Sequence, residues 1–188
     1  MTQLTQKEKL LLQDLKSQEE LCIKKYSKGA NETTDQVLKQ ILTQLGNQEQ
    51  QHLNTVNQIM QGQMSTSQQS PWQQSQQSQP SGGQQQQGTQ SQMQGSQSGM
   101  QNQQSSQQIQ FNFSNLKSQS AQQTDFDLVH DLLSTEKYVS STYNTAIFEF
   151  NDSNIRQTLN HIQKEEQQHG EILYNYMKQN GAYQQAQG

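Results

Sequence analysis

The chain has 188 residues, room for one domain or two small ones, yet only 28% are hydrophobic, a share that usually marks disorder. Its net charge of −4, with both signs interspersed, excludes the clustered basic face that nucleic-acid phosphates require. A single cysteine, Cys22, excludes an intramolecular disulfide. No apolar run is long enough for a signal peptide or a membrane span, so cytosolic synthesis is expected.

The low apolar average hides an uneven distribution. Thr5-x-x-Glu8 forms a capping-box pattern ahead of Leu10, Leu11, Leu12 and Leu15, which predicts a first helix, with Gly29 as its C-terminal stop and a turn through Asn31. Thr33 or Thr34 then caps a second helix running to about Met60, with Gly62 just beyond it. From Gly62 through Leu116 there is no charged residue, and Gln, Ser and Gly dominate. That composition cannot bury enough surface to fold alone and is expected to be a disordered linker. Within it, the alternation Ile109-Gln-Phe111-Asn-Phe113 is a candidate anchor onto the folded part. Thr124/Asp125 starts a third helix reaching about Phe150. Asn151-Asp152-Ser153 makes a turn, and a fourth helix stops at Asn180-Gly181.

Short turns join helices one to two and three to four, so each pair is an antiparallel hairpin, and the long linker joins the hairpins. One long crossover in the middle of four helices is the topology of ferritin-like bundles. The expected organisation is therefore all-α: an N-terminal hairpin over 1–61, a linker over 62–124, a C-terminal hairpin over 125–183 and a tail over 184–188. The hairpins also align with each other at an offset of 117 without a gap. Asp14, Leu15, Ser17, Glu19, Tyr26, Asp35, Leu42, Glu49, His52 and Met60 meet their identical partners, and about 14 of 47 positions agree, as an internal duplication would leave them.

The polar residues inside the apolar stripes carry the functional signal. Helix two reads Leu38, Leu42, Leu45, Glu49, His52, Val56, Ile59, and helix four reads Ile155, Leu159, Ile162, Glu166, His169, Leu173, Tyr176. These steps of three and four trace one face of a helix. Helix one places Glu19 between Leu15 and Cys22, and helix three places Glu136 between Leu132 and Val139. Six polar side chains thus converge at one depth: Glu19, Glu49, His52, Glu136, Glu166 and His169. Buried unpaired carboxylates are costly and repel one another, and two metal cations would neutralise them while the imidazoles complete the coordination. One Glu from each of two helices plus Glu-x-x-His from each of the other two is the ligand set of di-iron and di-manganese bundles, so two ions of Fe or Mn are expected. The competing expectation is a polar layer without metal, held by hydrogen bonds. Glu20, Glu165, His130 and His161 are read as solvated, with Glu20 a weak alternate for Glu19. Tyr26, Tyr143 and Cys22 are read as core residues.

The C-terminal stretch, with LLSTEKY running to Tyr143, the turn after Phe150, IQKEEQQHGE and YMKQNG, resembles the coat F family of bacterial spore coat proteins over about residues 125–183. The resemblance implies a ferritin-like fold. It also implies synthesis in the mother-cell cytoplasm of an endospore-forming bacterium, deposition in the spore coat, and other coat proteins as partners, with a homo-oligomer left open. Rubrerythrins and manganese catalases share the Glu plus Glu-x-x-His layout, which keeps a peroxide-consuming or Fe(II)-oxidising enzyme as the alternative function. The glutamines of the linker are candidate acyl donors for transglutaminase cross-linking.

Overall fold

Leucine, isoleucine and valine recur every three or four residues along four stretches, and in the computed structural model each stretch is a helix: α1 (Gln6–Glu32), α2 (Gln36–Met60), α3 (Gln123–Glu149) and α4 (Ser153–Gln179). The structure describes residues 3–63 and 115–182, which belong to one compact unit. The Ile109–Phe113 anchor, most of the linker with its glutamines, and the tail lie outside the described residues. Among the described residues there is no strand, and no helix is long and apolar enough to cross a membrane.

Each hairpin starts from a capping device. The Thr5 hydroxyl accepts from the Glu8 N–H, and Glu8 accepts from the Thr5 N–H at 2.7 Å, which satisfies the donors that α1 would otherwise leave open. At the start of α3 the Gln122 N–H donates to Asp125 at 3.0 Å. Asp125 is therefore the third residue of that turn rather than its cap. The second helix of each hairpin is capped by an aspartate: Asp35 accepts from the Val37 and Leu38 N–H groups, and Asp152 from those of Asn154 and Ile155. The cap of α2 is thus Asp35, not Thr33 or Thr34. Thr33 is engaged elsewhere, its hydroxyl donating to Asp125 at 2.6 Å.

Gly29 does not end α1. The helix continues to Glu32, and the glycine packs inside it, where an added Cβ would come within 3.0 Å of Leu42 Cδ1 and Leu128 Cδ2. Its absent side chain allows a close approach of α1 to its neighbours rather than a left-handed turn. Gly62 and Gly181 do take positive φ, at 67° and 81°, just past the ends of α2 and α4.

The hairpins pack with α1 against α3 and α2 against α4. Lys7 near the start of α1 pairs with Glu149 at the end of α3, while Lys25 near the end of α1 pairs with Asp131 near the start of α3, so those helices are antiparallel. Both capping acids bridge the hairpins: Glu8 also accepts from the Asn151 N–H in the α3–α4 turn, as Asp125 accepts from Thr33 in the α1–α2 turn. The seam residues Leu12, Leu15, Leu38, Leu42, Leu45, Val129, Leu132, Leu159 and Leu173 are buried, as the periodicity predicts.

The end of the crossover is more ordered than a linker reaching Thr124 would be. Leu116 is buried, its N–H donates to Gln179, and its carbonyl accepts from Asn180, which in turn accepts from the Ser118 N–H. A buried leucine with its backbone polar groups paired offsets the entropy of fixing this strap on the end of α4.

Candidate metal centre

All six candidate residues, one each from α1 and α3 and two each from α2 and α4, meet in the middle of the bundle. Glu19, Glu49 and Glu166 are fully buried, and His52, Glu136 and His169 are no more than 3% exposed. They form two overlapping clusters. Glu19, Glu49, His52 and Glu166 each offer one ligand atom within 4.8 Å of the others, and so do Glu49, Glu136, Glu166 and His169. Glu49 and Glu166 belong to both. The centre therefore has two halves that share two carboxylates, each half completed by its own glutamate and histidine.

The arrangement is reciprocal, as a duplicated hairpin folded on itself requires. His169 Nδ1 lies 2.7 Å from Glu49 Oε1, and His52 Nδ1 lies 2.9 Å from Glu166 Oε1. The imidazoles stack with centroids 5.6 Å apart and planes inclined by 15°. The Tyr26 hydroxyl of α1 donates to Glu136 of α3, and the Tyr143 hydroxyl of α3 donates to Glu19 of α1. These tyrosines are buried, as a core position requires, but each also fixes the seam glutamate of the opposite hairpin. Their spacing of seven residues from Glu19 and Glu136 puts them on the same helical face, the available signal for this role.

The electrostatics follow from burial and crowding. Burial, then the charges of Glu166 and Glu49, holds Glu19 well above the ordinary carboxylate range; burial and the same two neighbours do so for Glu136. Burial also opposes the charge on Glu49, but the charge and hydrogen bond of His169 together with His52 outweigh it and hold that carboxyl low. His52 is held well above its usual value: burial disfavours its cation, and the carboxylates of Glu165, Glu166 and Glu49 overcome that. Burial pushes the Cys22 thiol up, and the nearby glutamates push it further, so it stays a neutral, enclosed group.

Glu165 is not the solvated residue its position off the stripe suggests. It is 24% exposed, and its carboxylate lies 3.0 Å from His52 Nε2, the ring nitrogen turned away from the centre, and 3.4 Å from His161 Nε2. A carboxylate on the outer nitrogen of a histidine fixes the ring's tautomer and orientation. The sequence held one signal for it: the second hairpin has Glu165 where the first has Gln48. Glu20 makes only a surface pair with Lys16, and His130 is exposed, both as expected.

The donor set suits a pair of hard cations. One oxygen each of Glu19, Glu49 and Glu136, and both oxygens of Glu166, are buried without a hydrogen-bond donor. Leaving such an atom unsatisfied costs about 1–3 kcal/mol, more when charged. Carboxylates and imidazoles with no thiolate are ligands that could hold such cations.

Comparison with known proteins places the C-terminal hairpin. Residues 124–187 match the family model of the Coat F domain. A 64-residue segment is 38% identical to uncharacterized protein YusN of Bacillus subtilis, covering 34% of this chain and 58% of that protein. The chain thus spans less than two thirds of the relative's length. No solved structure matches it significantly.

Proposed function

We propose that the chain, whose residues 124–187 match the Coat F domain model, is a spore coat protein built on a ferritin-like bundle that holds a dinuclear iron or manganese centre. The observation that carries the metal reading is the pair of overlapping clusters sharing Glu49 and Glu166. Glu19 and His52 complete one half; Glu136 and His169 complete the other. Tyr26, Tyr143 and Glu165 are positioning residues, holding Glu136, Glu19 and His52 respectively. Other coat proteins are the proposed partners, and the spore coat, after synthesis in the mother cell, is the proposed location.

Metal analysis of the protein purified without chelators tests the centre. Close to two iron or manganese ions per chain are expected, falling to well below one in the Glu49→Ala/Glu166→Ala double variant, since both halves lose two ligands each. A metal-free wild-type protein, or a content unchanged by the double substitution, overturns the reading. Location is tested by a fluorescent fusion in a sporulating bacterium, where diffuse mother-cell signal persisting in mature spores counts against the coat.

A second reading has its own observation. Raised proton affinity at Glu19 and Glu136, each beside a second carboxylate, fits protons shared between Glu19 and Glu49 and between Glu136 and Glu166. The six residues are then a metal-free polar layer that fixes the register of the hairpins. The same metal analysis separates the two. A loaded centre of this kind supplies redox chemistry toward peroxide or Fe(II), so peroxide consumption by the metal-loaded protein distinguishes an enzyme from a purely structural coat component.

A further inference from the structure

The halves of the centre descend from one repeat but are not enclosed alike. A pocket of about 340 Å³ opens between α3 and α4, lined by Leu133, Glu136, Lys137, Ser140, Glu166 and Gly170 among others. It reaches Glu136 and Glu166, two of the three carboxylates that serve the Glu136/His169 half. At the equivalent places on the α1–α2 face the duplicate carries Ile23 for Ser140 and Leu53 for Gly170, both half-buried. Two branched aliphatic side chains thus occupy one face where a hydroxymethyl and a hydrogen stand on the other.

Neither the backbone nor the packing demands the glycine. Gly170 lies within α4 at an ordinary helical φ, and a Cβ there would meet Leu133 Cδ1 at 3.4 Å and Glu136 Cβ at 3.9 Å, normal van der Waals contact. Glycine inside a helix is unfavourable relative to alanine. What it provides here is open space one residue from His169. The surroundings of the histidines differ in the same sense. His52 is braced on its outer nitrogen by Glu165, while His169 Nε2 is buried without a hydrogen-bond partner.

We propose that the α3–α4 pocket is the port through which a small inorganic ligand of two or three non-hydrogen atoms, of the peroxide or azide class, reaches the Glu136/His169 half, while the braced Glu19/His52 half is closed. This rests on the dinuclear reading above. The depth of the carboxylates, at most 2% exposed, limits what reaches them to a few atoms. Lys137 in the pocket wall offsets their charge for an approaching neutral or singly anionic ligand.

Cobalt(II) and azide test the port without reliance on turnover. The cobalt-loaded wild-type protein is titrated with azide while its visible absorption is followed. A saturable change is expected. Gly170→Leu, which installs the duplicate's side chain, should bind the same equivalents of cobalt but lose at least tenfold in the rate or affinity of the azide response. Ser140→Ile narrows the other wall and should act in the same direction, and it decides the matter should Gly170→Leu not fold. Leu53→Ala on the opposite face, which removes bulk rather than adding it, should not weaken the response. Wild-type azide behaviour in the narrowed variants overturns the port and leaves the centre standing. Loss of cobalt itself from both variants also overturns it, by making the pocket walls scaffold for the centre. Failure of wild-type protein to bind cobalt removes the centre and the port together.

Discussion

Asp35 and Asp152 cap equivalent helices of the duplicated hairpins, and their differing surroundings give a graded prediction. Asp35 is fully buried. Besides capping α2 through the Val37 and Leu38 N–H groups, it accepts the Tyr176 hydroxyl at 2.7 Å. In the first hairpin the residue equivalent to Tyr176 is Ile59, which cannot make such a bond to Asp152. Replacing an aspartate cap by alanine costs about 1 kcal/mol. Stranding a buried phenol adds about 1–3 kcal/mol. Asp35→Ala should therefore cost about 2–4 kcal/mol and Asp152→Ala about 1 kcal/mol. Urea unfolding at pH 7 reads the difference as a shift in midpoint at constant slope. Adding Tyr176→Phe to Asp35→Ala should recover most of the excess, because the phenol no longer needs a partner. Equal losses at the two aspartates, or no recovery in the double variant, would refute the reasoning. The pH dependence has a definite sign. Burial works against the charge of Asp35, but hydrogen bonds from Tyr176, Ser118 and two backbone N–H groups outweigh it and hold the carboxyl below its ordinary value. The stabilisation is then fully present above the unfolded value of about 3.9 and is lost as pH falls through the lower folded value. The wild-type advantage over Asp35→Asn should shrink below about pH 4.

Three further outcomes are expected. Gly170→Ala should stabilise the fold by about 0.5–1 kcal/mol, because α4 gains helix propensity and the methyl meets ordinary contacts, whereas Gly29→Ala should destabilise it by forcing Leu42 and Leu128 aside; thermal denaturation separates the signs. Tyr26→Phe and Tyr143→Phe should each cost about 1–3 kcal/mol in the metal-free protein and agree closely, since each removes the same reciprocal bond, and a large disparity in urea midpoints would break the symmetry argument. Iron or manganese at a hundredfold excess over its dissociation constant should stabilise the fold by about 2.7 kcal/mol per ion, and the rise in Tm should vanish in Glu49→Ala/Glu166→Ala.

The legibility of this sequence followed the physics of each feature. Four helices and two hairpins were readable because the apolar stripes keep a period of three and four over more than twenty residues, and few alternatives bury such stripes. The convergence of Glu19, Glu49, His52, Glu136, Glu166 and His169 was readable for the same reason: polar residues in the middle of a stripe point where the stripe points. Features set by tertiary contacts were harder. Gly29 reads locally as a helix stop, yet its meaning lies in Leu42 and Leu128. Asp35 displaced Thr33 as the cap of α2 because Thr33 serves Asp125, 92 residues away. Glu165 sits one residue off the seam and is brought to His52 only by the crossing of α2 and α4. The strap at Leu116 is too short to carry a period, and its partners Gln179 and Asn180 lie at the far end of the chain.

The tyrosine–glutamate bonds have a consequence for the smallest stable unit. Every one of them crosses from one hairpin to the other, as do the bonds of Glu8 and Asp125 to the opposite turns. A hairpin alone would bury or expose a phenol and a carboxylate that have no partner within it, and would own three ligands of one cluster but a single ligand of the other. Two hairpins are thus the minimum that answers its own hydrogen-bonding demands. Where a polypeptide supplies only one of this type, self-complementary pairing of two copies about a twofold axis would restore the same contacts. Joining both in one chain replaces that concentration-dependent encounter with a tethered one, and frees the halves to diverge, as Glu165 beside Gln48 and Gly170 beside Leu53 already have.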